Sequence, residues 1–549
     1  MLKFKNFAGH ILSDLSGLSV LTVYFSCVAV FIYWALSFYM DGFAAWLLGA
    51  ASLIFYLCGG KCLRVLFLFV FGLSVLFQNH LVVHYSYPFA KIGREILVIA
   101  SESTGLEFSS YLQVIKPDEY MNFFWLLMAC LFIYAYTARR KRKKLPVLTG
   151  FFLLLFALWN DLGAPVSAFT KEMSENARIF ERYKMFNFNA KDFSGREKST
   201  CIIVIGETHR HDYFDKYGYD KEYSPNLLKA RNDNALYYFT DMVSGFYYTT
   251  GSVPLILTRK PVECETRFYD EKSVISAFKE AGYATWSVSY TKRTQPENDA
   301  MNLIFLEADQ YINHSENSGT FDDVGMLPYI KGILADDSKR KKLIVIKMIG
   351  AHYLYEERYP KNFELYKPSY KSVHNYGEAA NDLALLKNSY KNAIAYSASF
   401  IDQLAAMAYQ RPEPVLMSFI SDHGTSLGED PAGGKYVGRA KGAYHIAFFI
   451  TGNQPFWGTV DEKIRSNLLR RRHASLTQEY FSETYLSLAG IEYFDPRLRF
   501  NIAGDGFEPA QNRIVWTGVG LEGYDCLAKE PPIDPLGEKT APKPIKTGS

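Results

Sequence analysis

The sequence predicts a multi-domain molecule: an N-terminal transmembrane domain of five helices, then a C-terminal α/β domain on a mostly parallel sheet. Three observations carry this expectation. Five apolar runs fall within the first 160 residues. The chain of 549 residues is 48% apolar and 16% aromatic, yet its mean hydropathy is −0.08, as an average over one oily part and one polar part would be. From Cys201 onward, short β-branched runs alternate with helical stretches.

Residues 17–40, 42–60, 65–90 and 121–138 contain no Asp, Glu, Lys or Arg, and a fifth apolar run, 145–160, ends at Asp161. A bilayer core of ~30 Å needs about 20 apolar residues in a helix. The second and fifth runs are slightly short, and Trp46 and Trp159 suit interfacial anchors. The six basic residues at 139–144 mark a cytoplasmic loop, and Lys61, Arg64, Lys3 and Lys5 agree with the same topology. The expected transmembrane domain is 1–162, with a loop at 85–119 on the outer face, to which everything after about residue 161 is also delivered. His80 and His84 stand four apart at the outer end of the third span, where interfacial packing is the plainer reading than metal or headgroup binding.

Residues 163–196 mix charge with Phe, Tyr and Met, as an amphipathic interfacial linker does. The α/β domain is expected over 197–528. Its strands are read at CIIVIGE (201–207), KLIVIKMIGAH (342–352) and PVLMSFISDHG (414–424), with YATWSVSY (283–290) and HIAFFITG (445–452) as weaker members. Helical stretches lie at about 271–281, 380–410 and 474–489. Strands buried on both faces and alternating with helices imply a parallel sheet. The tail 529–549, rich in Pro and Lys, has a disordered composition. The net charge of +3 carries no nucleic-acid signal, and no C-x-x-C pair points to a cysteine zinc ribbon.

In open α/β sheets, ligands bind beyond the carboxyl ends of the strands. Glu207 follows the first strand, His352 the 342–349 run, and Asp422 and His423 the 414–420 run. Any one of them reads equally well as a helix cap. Together, they form a set of oxygen and nitrogen donors suited to a metal. The segment 241–260 is poor in charge and rich in hydroxyls, which makes Thr249, Thr250 and Ser252 candidate nucleophiles. Arg210, Lys292 and Arg293 are candidates for holding phosphate, with solvated surface charge the plainer reading.

Three motifs in order resemble the phosphoethanolamine transferases, a membrane-anchored family of the alkaline phosphatase/sulfatase superfamily. These are VIGETHRHDYFDKYGYDKEYSPNL (204–227), TTGSVP (249–254) and SDHGTSLGE (421–429), and the five expected spans match as well. The resemblance implies a sulfatase-like fold for the second domain. It implies Zn2+ held by Glu207, Thr249, Asp422 and His423, with Thr249, five residues before Pro254, as the nucleophile. His352 in GAHYLYEERYP is similar to the family histidine that serves substrate phosphate or a second metal. His445 is the candidate for the family's other site histidine, or else simply opens a strand. The implied reaction is two-step transfer of phosphoethanolamine from phosphatidylethanolamine to an envelope glycolipid or glycan, lipopolysaccharide core or lipid A. The implied location is the bacterial inner membrane, with the catalytic domain in the periplasm.

The sequence departs from the family where GKYVGRAK (434–441) replaces its usual Y-L-H-G, and where Thr425 replaces a Glu. No cysteines flank the nucleophile segment; Cys201 reads as a free core thiol, and Cys264 and Cys526 as a pair at even odds. Rival readings are a hydrolase or glycerol-phosphate transferase of the same fold, or a membrane-anchored glycan-binding protein. A formylglycine sulfatase is opposed by Ser252-Val253-Pro254 being followed by Leu255 and Ile256, with no Arg.

Overall fold

The computed structural model describes residues 183–218, 222–263, 271–290, 300–314, 322–372, 382–428, 440–517 and 520–527. The chain divides into two compact units, Met1–Glu172 and Met173–Ser549. The five apolar runs, His80 and His84, Cys264, Lys292, Arg293 and the tail all lie outside the described residues. Among those described, no helix is long and apolar enough to cross a membrane.

The second unit is organised by an eight-stranded sheet. In chain order its strands are β2 (Ser199–Gly206), β3 (Leu236–Val243), β4 (Ala284–Ser289), β5 (Gln310–Asn313), β6 (Lys341–Lys347), β7 (Val415–Ser421), β8 (His445–Gly452) and β9 (Leu476–Thr477). A short β1 (Lys191–Asp192) precedes them and pairs antiparallel with β10 (Ile491–Glu492), and β11 (Ile514–Trp516) forms a separate ribbon with β12 (Leu521–Gly523). The sheet order is β5-β4-β6-β2-β7-β8-β3-β9. β2 lies parallel between β6 and β7, with Ile203 beside Val345 on one side and Ser418 on the other. The apolar side chains of β2 are fully buried, as a strand with helices on both faces requires.

All five strand readings hold, but two features differ from expectation. β8 runs antiparallel to both neighbours, and β3 was not read from the sequence at all. LYYFTDMV is buried along nearly its whole length, so the period-2 signal is absent, and its two tyrosines and Thr-Asp step break up the apolar run that marks the central strands.

The helices that matter for the site are α1 (His211–Tyr217), α2 (Pro225–Asn232), α3 (Thr249–Leu257), α4 (Val274–Glu280), α5 (Leu327–Ala335), α6 (Leu383–Tyr409) and α7 (Tyr480–Ala489). Successive residues of β8 show how both faces are covered. Phe449 stacks on Phe214 of α1 and Phe419 of β7, whereas Phe448 meets Phe481 of α7. α6 begins where Asp382 accepts hydrogen bonds from the Ala384 and Leu385 amides, and α7 stops at left-handed Gly490.

At the described end of the 163–196 segment, the chain joins the α/β unit. Glu280 accepts the Phe188 and Ala190 amides, Tyr183 donates to Glu307, and β1 joins β10. Residues 183–196 are thus packed into the α/β unit. Phe188 and Ala190 lie in its core and Phe186 packs against it, whereas Met185 and Phe193 are exposed. Cys201 is buried, and burial pushes its thiol up to about 12; Cys526 is free and exposed.

Candidate metal centre and nucleophile

The three strands that end side by side, β6, β2 and β7, deliver the site. Glu207, Asp422 and His423 offer ligand atoms that all lie within 4.8 Å of one another. Thr249 joins them from α3. Its Oγ1 donates to Glu207 Oε2 at 3.0 Å and lies 3.4 Å from His423 Nε2. The carboxylates are buried, while Thr249 and His423 are partly exposed. A cluster so placed has a closed inner side and an open outer one.

Each ligand is aimed by a partner behind it. His423 Nδ1 lies 2.7 Å from the Gly424 carbonyl, which turns Nε2 toward the cluster. Asp422 Oδ1 accepts the amides of Thr208 and His423, at 3.0 and 2.6 Å. Glu207 Oε1 accepts the Thr208 hydroxyl at 2.7 Å. Thr208 itself is held at φ +62°, a left-handed conformation unusual for a β-branched residue and of the kind found at active sites. Tyr390 of α6 secures that turn, donating to the Thr208 carbonyl and accepting the Arg210 amide.

Two buried residues that the sequence reading missed complete the arrangement. Lys347, the last residue of β6, places Nζ 2.6 Å from Glu207 Oε2 and 3.1 Å from Asp422 Oδ2. Gln478 ties the nucleophile loop to the ligand strand: its Oε1 accepts the Gly245 amide, and its Nε2 donates to the carbonyls of Ser421 and Asp422. A lysine inside an apolar strand was a usable signal, because lysine is seldom buried unpaired. Gln478 carried none, standing between a two-residue strand and a helix.

Electrostatics follow from this packing. Burial pushes Glu207 up, but the Lys347 ammonium and then His423 hold it well below the usual carboxylate range. His352 adds to that field from the loop after β6. Burial and the adjacent Glu207 charge raise Asp422. Burial lowers His423, yet Asp422 and Glu207 outweigh it and push the imidazole up to about 9. Burial alone would lower Lys347, and the same two carboxylates raise it. Two carboxylates thus face an ammonium and an imidazole within one cluster.

The remaining candidates fall in different places. Ser252 is buried and donates to the Phe246 carbonyl, a structural bond, and Thr250 is partly exposed one residue past Thr249. His352 sits beyond β6 with Nδ1 2.6 Å from the Tyr353 carbonyl. Asp323 positions that loop by accepting the Ile349 and Gly350 amides, and burial pushes its carboxyl up to about 7. His445 opens β8, places Nε2 2.9 Å from the Thr240 carbonyl and lies against His211, with ring centroids 4.6 Å apart; it does not join the ligand group. Arg210 corrects the solvated-charge reading. It is 1% exposed, pairs with Asp212 at 2.7 Å and donates to the Thr425 carbonyl, so its guanidinium is committed to the fold.

Residues 199–491 match the family model described as Sulfatase. Among curated proteins, the chain is 27% identical over 273 residues to the phosphoethanolamine transferase EptA of Helicobacter pylori, covering 47% of this chain and 48% of that one. It is 26% identical over 362 residues to EptC of Escherichia coli, covering 64% of this chain and 58% of that one. The match thus spans about half to three fifths of these relatives' lengths. The C-terminal periplasmic domain of Escherichia coli EptC, solved in complex with Zn, superposes with a TM-score of 0.54 at 22% identity over 62% of this chain and 97% of that domain. The integral membrane phosphoethanolamine transferase A of Neisseria meningitidis superposes with a TM-score of 0.61 at 16% identity over 84% of this chain and 90% of its own.

Proposed function

The chain belongs to the sulfatase family, its curated relatives include phosphoethanolamine transferases, and from that premise we propose that it transfers phosphoethanolamine. The donor is phosphatidylethanolamine, and the acceptor is an envelope glycolipid or glycan such as lipopolysaccharide core or lipid A. The setting is the periplasmic face of a bacterial inner membrane, with residues 1–162 as the anchor. The observation that carries this reading is Thr249 Oγ1, 3.0 Å from Glu207 and at the first turn of a helix, beside a metal-ligand triad.

The residues fit zinc. Two carboxylates, an imidazole whose other nitrogen is pinned by a carbonyl, and a hydroxyl converge as a borderline-hard donor set of four. Glu207, Asp422, His423 and Thr249 would hold the ion, which supplies Lewis acidity that favours loss of the threonine proton and offsets phosphoryl charge.

The chain's own groups account for the rest. Glu207, ionised, accepts the Thr249 hydrogen bond and orients the oxygen. Thr249 Oγ1 forms a bond to phosphorus, and the bond from phosphorus to the diacylglycerol oxygen breaks. That oxygen leaves with the electron pair and takes up a proton. The first amides of α3 have no carbonyl partner within the helix and suit the phosphoryl oxygens. A phosphoethanolamine ester on Thr249 remains. An acceptor oxygen then attacks phosphorus, the bond to Oγ1 breaks, and Thr249 regains its proton. His352, in the loop after β6, would steady charge on the phosphoryl group.

Incubating the full chain with excess phosphatidylethanolamine and no acceptor tests this. Intact mass should show one phosphoethanolamine adduct, mapping by peptide fragmentation to Thr249. An adduct on Thr250, or none under conditions of measured turnover, would overturn the covalent reading.

A further inference from the structure

Lys347 is 3% exposed and ends β6 directly under the site. Its Nζ meets Glu207 Oε2 and Asp422 Oδ2, and also donates to the carbonyls of Gly206 at 3.4 Å and Met348 at 3.3 Å. Four oxygens therefore surround an ammonium that has three protons to give. Nothing remains to reach outward to a phosphate, so a substrate-binding role does not suit it. The two carboxylates turn one oxygen each toward Nζ, while their other oxygens accept from Thr208 and the His423 amide. Two adjacent buried carboxylates without a counter-charge repel, and removing one partner of a buried ion pair is strongly destabilising.

We infer that Lys347 is a positioning residue of the metal centre: its ammonium fills the place of a second cation between Glu207 and Asp422, and the centre takes one divalent ion per chain. The inference rests on the zinc reading of Glu207, Asp422, His423 and Thr249. Glu207 Oε2 and Asp422 Oδ2 are shared between Lys347 on the inner side and the Thr249–His423 side facing out. A second divalent ion on the inner side would have to expel Lys347 from a fully enclosed position. Among the described residues, no other group of three carboxylate, imidazole or thiol ligands exists to hold one. The fixed ammonium also keeps the carboxylates converged before any metal arrives, so the ion meets a formed site.

The experiment compares the full-length chain with Lys347→Met in detergent, stripped of metal and saturated with zinc, by thermal unfolding and by metal content. Stripped Lys347→Met should melt lower than the stripped parent by roughly 5 °C or more. Zinc should narrow that gap to half or less, because it restores the missing positive charge. A lysine that only packs would give the same loss in both states, and that result overturns the proposal. The parent should retain one zinc per chain; two tightly held ions would also overturn it. The double variant Glu207→Gln/Lys347→Met removes one charge of each sign and, stripped of metal, should recover most of the lost melting temperature. If Lys347→Met alone does not accumulate, recovery of folded double variant supports the role and failure to recover refutes it. Zinc retained by no chain would sink the zinc reading, whereas an undiminished melting temperature in stripped Lys347→Met would sink the role of Lys347 itself.

Discussion

Three hydroxyls within four residues are chemically alike, and only the folded chain separates them. Thr249 is at the ligand cluster, while Ser252 donates inward to the Phe246 carbonyl. Thr249→Ala is expected to abolish transfer with the fold intact, since it removes two heavy atoms from a partly open position. Thr249→Ser, which keeps the oxygen, should retain measurable turnover. Ser252→Ala should cost stability of about 0.5–1.5 kcal/mol, the usual worth of one hydrogen bond, more than it costs turnover. Full activity in Thr249→Ala, measured by mass spectrometry of the acceptor, would rule it out as the nucleophile. His423 carries a second expectation. Its imidazole is pushed up to about 9 by Asp422 and Glu207 and must lose its proton to bind metal. Zinc affinity should therefore fall as pH is lowered below about 9, with proton release near neutrality. Titration calorimetry at pH 7 in two buffers of different ionisation enthalpy should give different apparent heats; identical heats would contradict this. At this scale the grouping of Glu207, Asp422 and His423 was legible because each stands at the end of an apolar strand. Lys347 was less so, because a pattern reading treats a strand lysine as a stray edge residue, and Gln478 was invisible, because its partners are 233 and 57 residues away.

Elements translate those residues into positions, and here small side chains decide. Directly after His423, a Cβ on Gly424 would stand 1.9 Å from the Gly442 carbonyl oxygen, a backbone atom that no rotamer change can move. The loop is pinned by the hydrogen bonds of the Gly424 and Thr425 amides to the carbonyls of Ala443 and Gly442. Gly424→Ala should therefore displace the His423 turn. The expected result is a loss of zinc affinity of at least tenfold with a folded α/β core, read by metal titration and circular dichroism. Unchanged affinity would mean that the turn has slack the packing does not show. The strands β2, β6 and β7 were legible because burial on both faces leaves an unbroken apolar run of the right length. β3 escaped for the opposite reason: tyrosines and a Thr-Asp step make it look like surface, yet Tyr237 and Tyr238 are buried, and a bulge interrupts its pairing between Phe239 and Met242. The orientation of β8 was not legible either, since HIAFFITG reads alike in both directions.

At the scale of the whole molecule, the sequence separates an apolar first part from the α/β unit, and the positive-inside rule assigns the latter to the outer face. A reporter that functions only outside the cytoplasm, fused after residue 200, should be active; activity of a cytoplasmic reporter at that point would reverse the topology. The sheet order has a consequence of its own. β7 leaves the sheet at the edge that carries the ligands, and β8, running the other way, re-enters at that same edge. The chain between Ser421 and His445 never has to traverse a face of the sheet, as every crossover between parallel neighbours must. Its length is therefore uncoupled from the architecture. Length changes confined to 429–439 leave the pairing of β7 with β8 untouched, and the Asp422–His423 turn stays pinned by the Gly424 and Thr425 amides. A fold wired this way tolerates variation in length beside its ligands without any rewiring of its sheet.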